Sequence, residues 1–450
     1  MTLSMPLSKR AVIAGPLCWA TVLRRRRKQR LKRIVAIYLY ITQTTPRRQF
    51  QARVRMVWAE RVASLTARQF VARYRLDLGG FDYLLAEINR DGALWQYRAN
   101  VKDQIRPELL LSMFLRWAAG GSYLDICDLH GVAESTFYAH LWHTARCIDD
   151  AFQFPLVEMI NHCADGDVEL AAAEFDTKSG GTFRGCIGCI DGLQVKIEAP
   201  VYQAARYFCR KGFYALNAQM ACDSHRRIIW CSTLCCGSTH DSAALNLSEL
   251  GRILADDSHP IQAMFYWLAG DDAYKGPANN TCSLLTPYDC AGDDAEKKKQ
   301  DDFNAWLSIC RINIECAFGM LVWRWGILHR CLNHPRHVEH STLLVHVLAK
   351  LHNIACDRKI PVSNTTRPCK MDSYRGRVPG RGGGDLVGRD WAEWRIPNKY
   401  FDPQDTNRGR PGTRQPLRDE LADRLKFASL GRPKRSQYVG YERDPRPASD

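Results

Sequence analysis

At 450 residues the chain can bury a large core and has room for two or three domains, and its formal charge of +15 calls for a polyanionic partner. Nucleic acid stands ahead of an anionic membrane because no segment reads as membrane-spanning: the longest apolar N-terminal run, Ala11 to Leu23, is broken by Gly15, Pro16 and Thr21. Arginines follow that run directly, where a secretory signal would present small residues, and the 18 cysteines are scattered, as expected of a reduced intracellular chain rather than a disulfide framework.

The first 50 residues read as a basic arm. Within it, Arg24 to Arg33 is basic at eight of ten positions, a run usually solvated and disordered that suits nuclear import or phosphate binding. Import is favoured, so a nuclear location is expected. A helical domain follows over residues 51–160, with Phe70, Tyr74, Phe81, Leu84 and Leu85 at core-like spacings. Inside it, residues 109–148 have helix-turn-helix spacing: an amphipathic helix ending at Gly120-Gly121, a short helix, a turn at Gly131-Val132, and a second helix from about Ser135. Leu124, Ile126, Val132, Phe137 and Leu141 would form the shared core. Glu134, Ser135, Thr136, Tyr138 and His140 would form the exposed surface, with Ser135 and Tyr138 as candidate duplex contacts. An ordinary helical hairpin packed on a neighbouring domain fits the same pattern, and Glu134 is poorly placed opposite phosphate.

From Gly185 the texture changes to strands. Ile187, Cys189, Asp191, Leu193, Val195 and Ile197 alternate onto one face, which puts a carboxylate in a row that should be buried. An unpaired buried carboxylate is unfavourable, so Asp191 calls for a partner such as a cation; equally, Asp-Gly is a common turn dipeptide. Ala215 to Cys222 and Ile228 to Cys235 flank a polar turn and predict a hairpin. Gly237 to Asp241 leads into a helix through about Leu254. Met264 to Gly270 predicts a buried strand ending at Asp271-Asp272, Ser283 to Pro287 a short one, and a polar insert, Asp289 to Asp302, precedes a long helix to His329. This order is that of a mixed α/β sheet. Residues 359–450 are rich in Arg, Gly and Pro and read as a mostly disordered basic tail, interrupted by a short helix at Leu417 to Ala428.

Two zinc-like patterns occur: Cys186-x2-Cys189, whose side chains a regular strand would send to opposite faces, and the ladder Cys331, His334, His337, His340. Neither has a convincing second half. More telling is a set of carboxylates at element ends: Asp191, Asp241, Asp271 and, on the long helix, Glu315. Arg311 lies four residues before Glu315, so a surface ion pair is one expectation for it; the apolar residues Leu307, Ile314, Phe318, Leu321, Val322 and Trp325 cover so much of this helix that an inward-facing Glu315 is the other.

Five stretches in order, CIGCIDGLQVKIEAP, YFCRKGFYALNAQMACD, GSTHDSAAL, WLAGDDAYKG with LLTPY, and FNAWLSICRINIECAFGMLVWRWGIL, resemble the PIF/Harbinger-type transposases and their host-derived nuclease relatives. The resemblance runs from about Phe70 to His352. It implies an RNase H-like DDE nuclease domain over residues 183–355, with Asp191, Asp271 and Glu315 as the catalytic triad and Asp241 as an additional acid near the metals. Asp271 rather than Asp272 matches the family's Asp before a small residue and an aromatic, and Arg311 with Glu315 falls on its Arg-x-x-Ile-Glu pattern. Val322 departs, since many relatives carry lysine there. Two Mg²⁺ or Mn²⁺ ions suit such a donor set, and the implied activity is DNA cleavage at transposon ends with strand transfer. Arg210 and Lys211 would hold phosphate, although they also fit a solvated turn. Double-stranded DNA of terminal repeats and target sites, a Myb-like accessory protein and self-association are the implied partners. A host-recruited, non-catalytic DNA-binding or scaffold protein that retains the fold is the competing expectation.

Overall fold

The computed structural model describes residues 27–37, 54–96, 104–163, 166–178, 184–256, 258–264, 266–275, 283–332, 338–362 and 421–422. Two units are distinguished, Met1–Val54 and Arg55–Asp450. In the first, residues 27–37 form an exposed helix, which corrects the expectation of disorder there: Lys, Arg, Gln and Leu are good helix formers, although Leu31, Ile34, Val35 and Ile37 stand exposed on it. The rest of the basic arm, and nearly all of the tail beyond Val362, including most of the helix expected at Leu417 to Ala428, lie outside the described residues.

In the second unit, three helices, α1 (Trp58–Ala63), α2 (Ala67–Tyr74) and α3 (Leu78–Ile88), take up the first periodic stretch. Thr66 and Gln69 cap α2 reciprocally, and Asp77 caps α3 through the Gly80 N–H, so each start is set by a local side chain. Then come α4 (Pro107–Ala118), α5 (Tyr123–His130) and α6 (Glu134–Ala151), with Gly131 in the left-handed region at φ 63° between α5 and α6. The helix-turn-helix spacing therefore corresponds to real helices. Two side chains differ from expectation: Leu124 is exposed and His140 is buried, because Ile126 and Cys127 occupy the inner side of α5 while α6 turns Phe137, His140 and Leu141 inward.

Helices α7 (Leu156–Asn161) and α8 (Asp167–Lys178) lead to a five-stranded mixed sheet of β1 (Cys186–Lys196), β2 (Ala215–Cys222), β3 (Ile228–Cys236), β4 (Trp267–Ala269) and β5 (Leu284–Leu285). The order is β3-β2-β1-β4-β5, with β1–β2 and β2–β3 antiparallel and β1–β4 and β4–β5 parallel. Asp223 fixes the hairpin turn: its Oδ1 accepts the N–H groups of His225 and Arg227, both at 2.8 Å. The expected single helix after Gly237 is two, α9 (Asp241–Asn246) and α10 (Glu249–Leu254), because Ser248 caps a new start through the Gly251 N–H at 3.0 Å.

Helix α11 (Asp294–Arg324) begins inside the supposed polar insert, capped by Asp293, whose Oδ1 accepts the Glu296 N–H at 2.9 Å. By length and composition it could cross a membrane, but Leu307, Ile314, Ala317 and Leu321 are buried in the core, with Arg311 and Glu315 between them. A further helix, α12 (Val338–Asp357), packs beside it. One core cluster contains residues of α2 to α6, one face of β1 and β2, α11 and α12; a second, with α7, α8 and α10, covers the other face. Buried polar links join the helical stretch to the rest: Arg75 Nε donates to the Arg324 carbonyl at 3.0 Å, and Lys350 Nζ donates to the Asp149 carbonyl at 2.7 Å.

Strand β1 departs from simple alternation. Its register with β4 shifts between Cys186 and Gly188, so Ile187 joins the α8 side while Cys186 and Cys189 both join the α11 side. This corrects the opposite-face expectation for the two cysteines. Burial raises both thiols well above their usual pKa, and Cys189 Sγ donates to the Cys310 carbonyl of α11 at 2.9 Å. In the other zinc-like pattern, His334 and His337 lie outside the described residues, and His340 stacks on Trp142 with ring centroids 4.2 Å apart.

Candidate active site

Beyond the bulge, alternation resumes. Cys189, Val195 and Ile197 belong to the α11-side cluster and Leu193 packs against it, so Asp191 opens toward α11. Parallel pairing of β1 with β4 ends at Cys189↔Ala269. Asp191 lies two residues past Cys189 and Asp271 two residues past Ala269, which sets the two carboxylates level on adjacent strands just beyond the last paired rung. Asp271 holds a tight turn through its Oδ1, which accepts the Ala273 N–H at 2.9 Å. Asp272 is different: its side chain is 77% exposed and pairs with Lys275.

Electrostatics register the crowding. Burial, then the Asp271 charge, pushes the Asp191 carboxyl up from 3.8 to about 7, against the lowering effect of Arg311 and the Gly192 N–H, which donates to Asp191 Oδ1 at 2.7 Å. Burial also raises Asp271, with Asp241 and Asp272 adding to it and Arg311 opposing. The Arg311 guanidinium turns toward Asp271, Nη2 to Oδ2 3.8 Å, rather than forming the expected surface pair with Glu315. Glu315 is exposed, which corrects the inward-facing expectation; it stands at the rim, where surrounding protein and then the Asp271 charge raise its pKa.

Asp241 begins α9 and comes against β1 at Gly192, one residue along from Asp191. A Cβ at position 192 would lie 2.7 Å from Gln219 Nε2 and closer still to Asp241 Oδ1, so this approach requires glycine. Asp241 Oδ1 accepts Asn217 Nδ2 at 2.9 Å and Gln219 Nε2 at 2.8 Å. Asn217 and Gln219 were not recognised from sequence. The signal was available: two amides alternating in a wholly buried strand must have polar partners.

Arg210 and Lys211 are exposed on the β1–β2 connection, with Gly212 next to them at φ 84°. That connection is fastened to the segment leading into Asp241, since Ser238 Oγ donates to the Arg206 carbonyl at 2.6 Å. Ser135 and Tyr138 are exposed on α6, away from any contact with the carboxylates among the described residues, and Tyr138 packs on Tyr123 with ring centroids 5.5 Å apart.

Residues 190–353 match the family described as DDE superfamily endonuclease. In this segment the chain is similar to DDE endonucleases of the Harbinger type. It is similar to the candidate nuclease HARBI1 of Xenopus laevis, 24% identical over 48% of this chain and 58% of that protein. It is also similar to HARBI1 of Homo sapiens, 28% identical over 57% of this chain and 70% of that protein, and of Mus musculus, 26% identical over 65% and 79% respectively. No solved structure matches. The family match and the nuclease-named relatives support a nuclease-type reading of residues 190–353.

The donor chemistry of the site fits the divalent ions that DDE superfamily endonucleases use. All four acids offer hard oxygen ligands, and three have pKa values raised by burial first and by neighbouring acids second, a cost that a bound cation would offset. As the side chains stand, no three His, Cys, Asp or Glu among the described residues are arranged around a common ion position.

Proposed function

We propose that this chain is a metal-dependent DNA endonuclease with transposase chemistry, cutting phosphodiester bonds at transposon ends and joining the freed 3′-hydroxyl to target DNA. The observation that carries this proposal is the level placement of Asp191 and Asp271 beyond the last β1–β4 rung, where burial and then the Asp271 charge raise the affinity of Asp191 for a proton or a cation. Strand order and direction support an RNase H-like domain over residues 183–355, with helical residues 51–160 before it.

Asp191, Asp271 and Glu315 are the proposed catalytic triad, and Asp241 is the fourth carboxylate for Mg²⁺ or Mn²⁺. Two such ions about 3.5–4 Å apart supply polarisation of the scissile phosphate and activation of the attacking oxygen. Asp191 and Asp271 form the inner pair. Glu315, at the solvent rim, closes the side from which DNA enters. Arg311 favours the ionised form of Asp271 and so keeps it ready as a ligand. Arg210 and Lys211 lie on a connection tied to the Asp241 segment and hold the DNA backbone, while Ser135 and Tyr138 on α6 contact the duplex away from the cut. A nuclear location, self-association and a Myb-like accessory protein complete the proposal.

The test is nicking of terminal-repeat DNA with Mg²⁺ or Mn²⁺, comparing wild type with Asp191→Ala and Glu315→Ala. Metal-dependent nicking that each substitution reduces by at least about a hundredfold is expected, since these groups would act as one unit. Wild-type protein that binds this DNA without cutting it overturns the enzyme in favour of a scaffold.

A further inference from the structure

Behind the carboxylates lies a chain of hydrogen bonds that no part of the nuclease assignment uses. Tyr274, fully buried in the turn after Asp271, donates its hydroxyl to Gln219 Oε1. Gln219 Nε2 donates in turn to Asn217 Oδ1 at 2.9 Å and to Asp241 Oδ1 at 2.8 Å, and Asn217 Nδ2 also donates to Asp241 Oδ1 at 2.9 Å. Gln219 is 1% exposed and Asn217 is fully buried, so neither amide can turn to water. The same segment ties back to the other acid, because the Tyr274 N–H donates to the Asp271 carbonyl at 3.2 Å.

The arrangement has a direction. A primary amide has a donor end and an acceptor end, and a buried Gln219 could sit either way round. The Tyr274 hydroxyl, placed at Oε1, favours the orientation that aims Nε2 at Asp241; the flipped amide would set its oxygen against a carboxylate. Both amide donors then fall on the same oxygen of Asp241, Oδ1, which leaves Oδ2 for another ligand. Gly192 is the clearance that permits it, since any side chain there would collide with both Asp241 and Gln219.

We infer that Tyr274 and Gln219 are positioning residues: through Asn217 and Gln219 they orient Asp241 toward the divalent ions and couple its placement to the turn that carries Asp271. The inference rests on the metal-dependent nuclease proposed above and assigns the residues that set its ion affinity.

Tyr274→Phe removes one hydroxyl from a buried ring, and Gln219→Met removes the amide at similar volume. The probe is Mn²⁺ alone, with binding measured by calorimetry and by the Mn²⁺-induced rise in unfolding temperature, and with the Mn²⁺ concentration for half-maximal nicking as a third readout. Each substitution is expected to weaken Mn²⁺ binding on the order of tenfold, as loss of groups supporting metal ligands does. The half-maximal Mn²⁺ concentration should rise by far more than the plateau rate falls. The double variant should bind no more weakly than Gln219→Met, because the hydroxyl acts through the amide. Mn²⁺ affinities within twofold of wild type in folded Tyr274→Phe and Gln219→Met, or effects that multiply in the double variant, overturn the inference and leave Asp241 as a structural carboxylate joining α9 to β2. Mn²⁺ binding by wild type without DNA cutting overturns the nuclease but not this inference; no Mn²⁺ binding by wild type overturns both.

Discussion

Asp191→Asn should stabilise the metal-free protein while abolishing the proposed nuclease activity. The Asp191 carboxyl has its pKa pushed from 3.8 to about 7 by burial and by the Asp271 charge. A raised pKa means that the folded state holds the proton more tightly than the unfolded chain. The associated stability is fully present below about pH 3.8 and is lost as pH rises through about 7. Taking 1.36 kcal/mol per pH unit over that interval, ionising Asp191 in the fold costs about 4 kcal/mol at most, and about 2–4 once water at the open side of the site is allowed for. Asparagine is neutral at every pH and keeps an oxygen for the Gly192 N–H, which donates to Asp191 at 2.7 Å. Urea unfolding in EDTA at pH 8 should therefore show Asp191→Asn more stable than wild type by about 2–4 kcal/mol, with the gap falling to less than half at pH 5. Equal stability at pH 8, or a gap independent of pH, would refute the electrostatic picture of the site.

Other substitutions probe neighbouring parts of the structure. Gly192→Ala forces a methyl group against Asp241 and Gln219 and should destabilise the fold by about 1–3 kcal/mol in denaturant unfolding while lowering Mn²⁺ affinity. Arg311→Met removes the cation that favours ionised Asp191 and Asp271, so their pKa values rise further and the acid limb of the pH profile for Mn²⁺ binding should move to higher pH. Gly326→Ala would place a Cβ 2.5 Å from the Ala119 carbonyl oxygen, and a lowered unfolding temperature is expected from this packing between the stretch after α11 and the end of α4. Replacing Arg210 and Lys211 with Ala should weaken DNA binding evenly across sequences and flatten its logarithmic salt dependence by about one per lost phosphate contact; an unchanged slope returns them to a solvated turn.

Much of the sheet was legible because its signals are local. The β2–β3 hairpin announces itself through Asp223, whose side chain closes the turn, and the buried strand before Asp271 through its apolar run. What escaped depended on partners distant in sequence. The bulge that turns Cys186 to the same side as Cys189 is visible only against β4, and His140 is buried because other helices pack over it. Asp293 and Ser248 are caps whose weight was missed, so α11 starts earlier and the helix after Asp241 breaks in two. Helix α12 was passed over despite buried Leu344, Val347, Leu348 and Leu351 at helical spacing. At the site, the four acids were named from sequence words, but which face and which rung each occupies came from register. Glu315 at the rim and Arg311 turned to Asp271 illustrate the difference between finding a residue and placing it.

The central claim is that Asp191, Asp271, Asp241 and Glu315 make one divalent-ion centre. Anomalous diffraction from crystals grown with Mn²⁺ tests it most directly. Manganese peaks bounded by Asp191 and Asp271, with Asp241 and Glu315 as further ligands, and their loss in Asp191→Asn crystals, are the predicted result. Manganese bound elsewhere, with these four side chains unmoved and unliganded, would contradict the account.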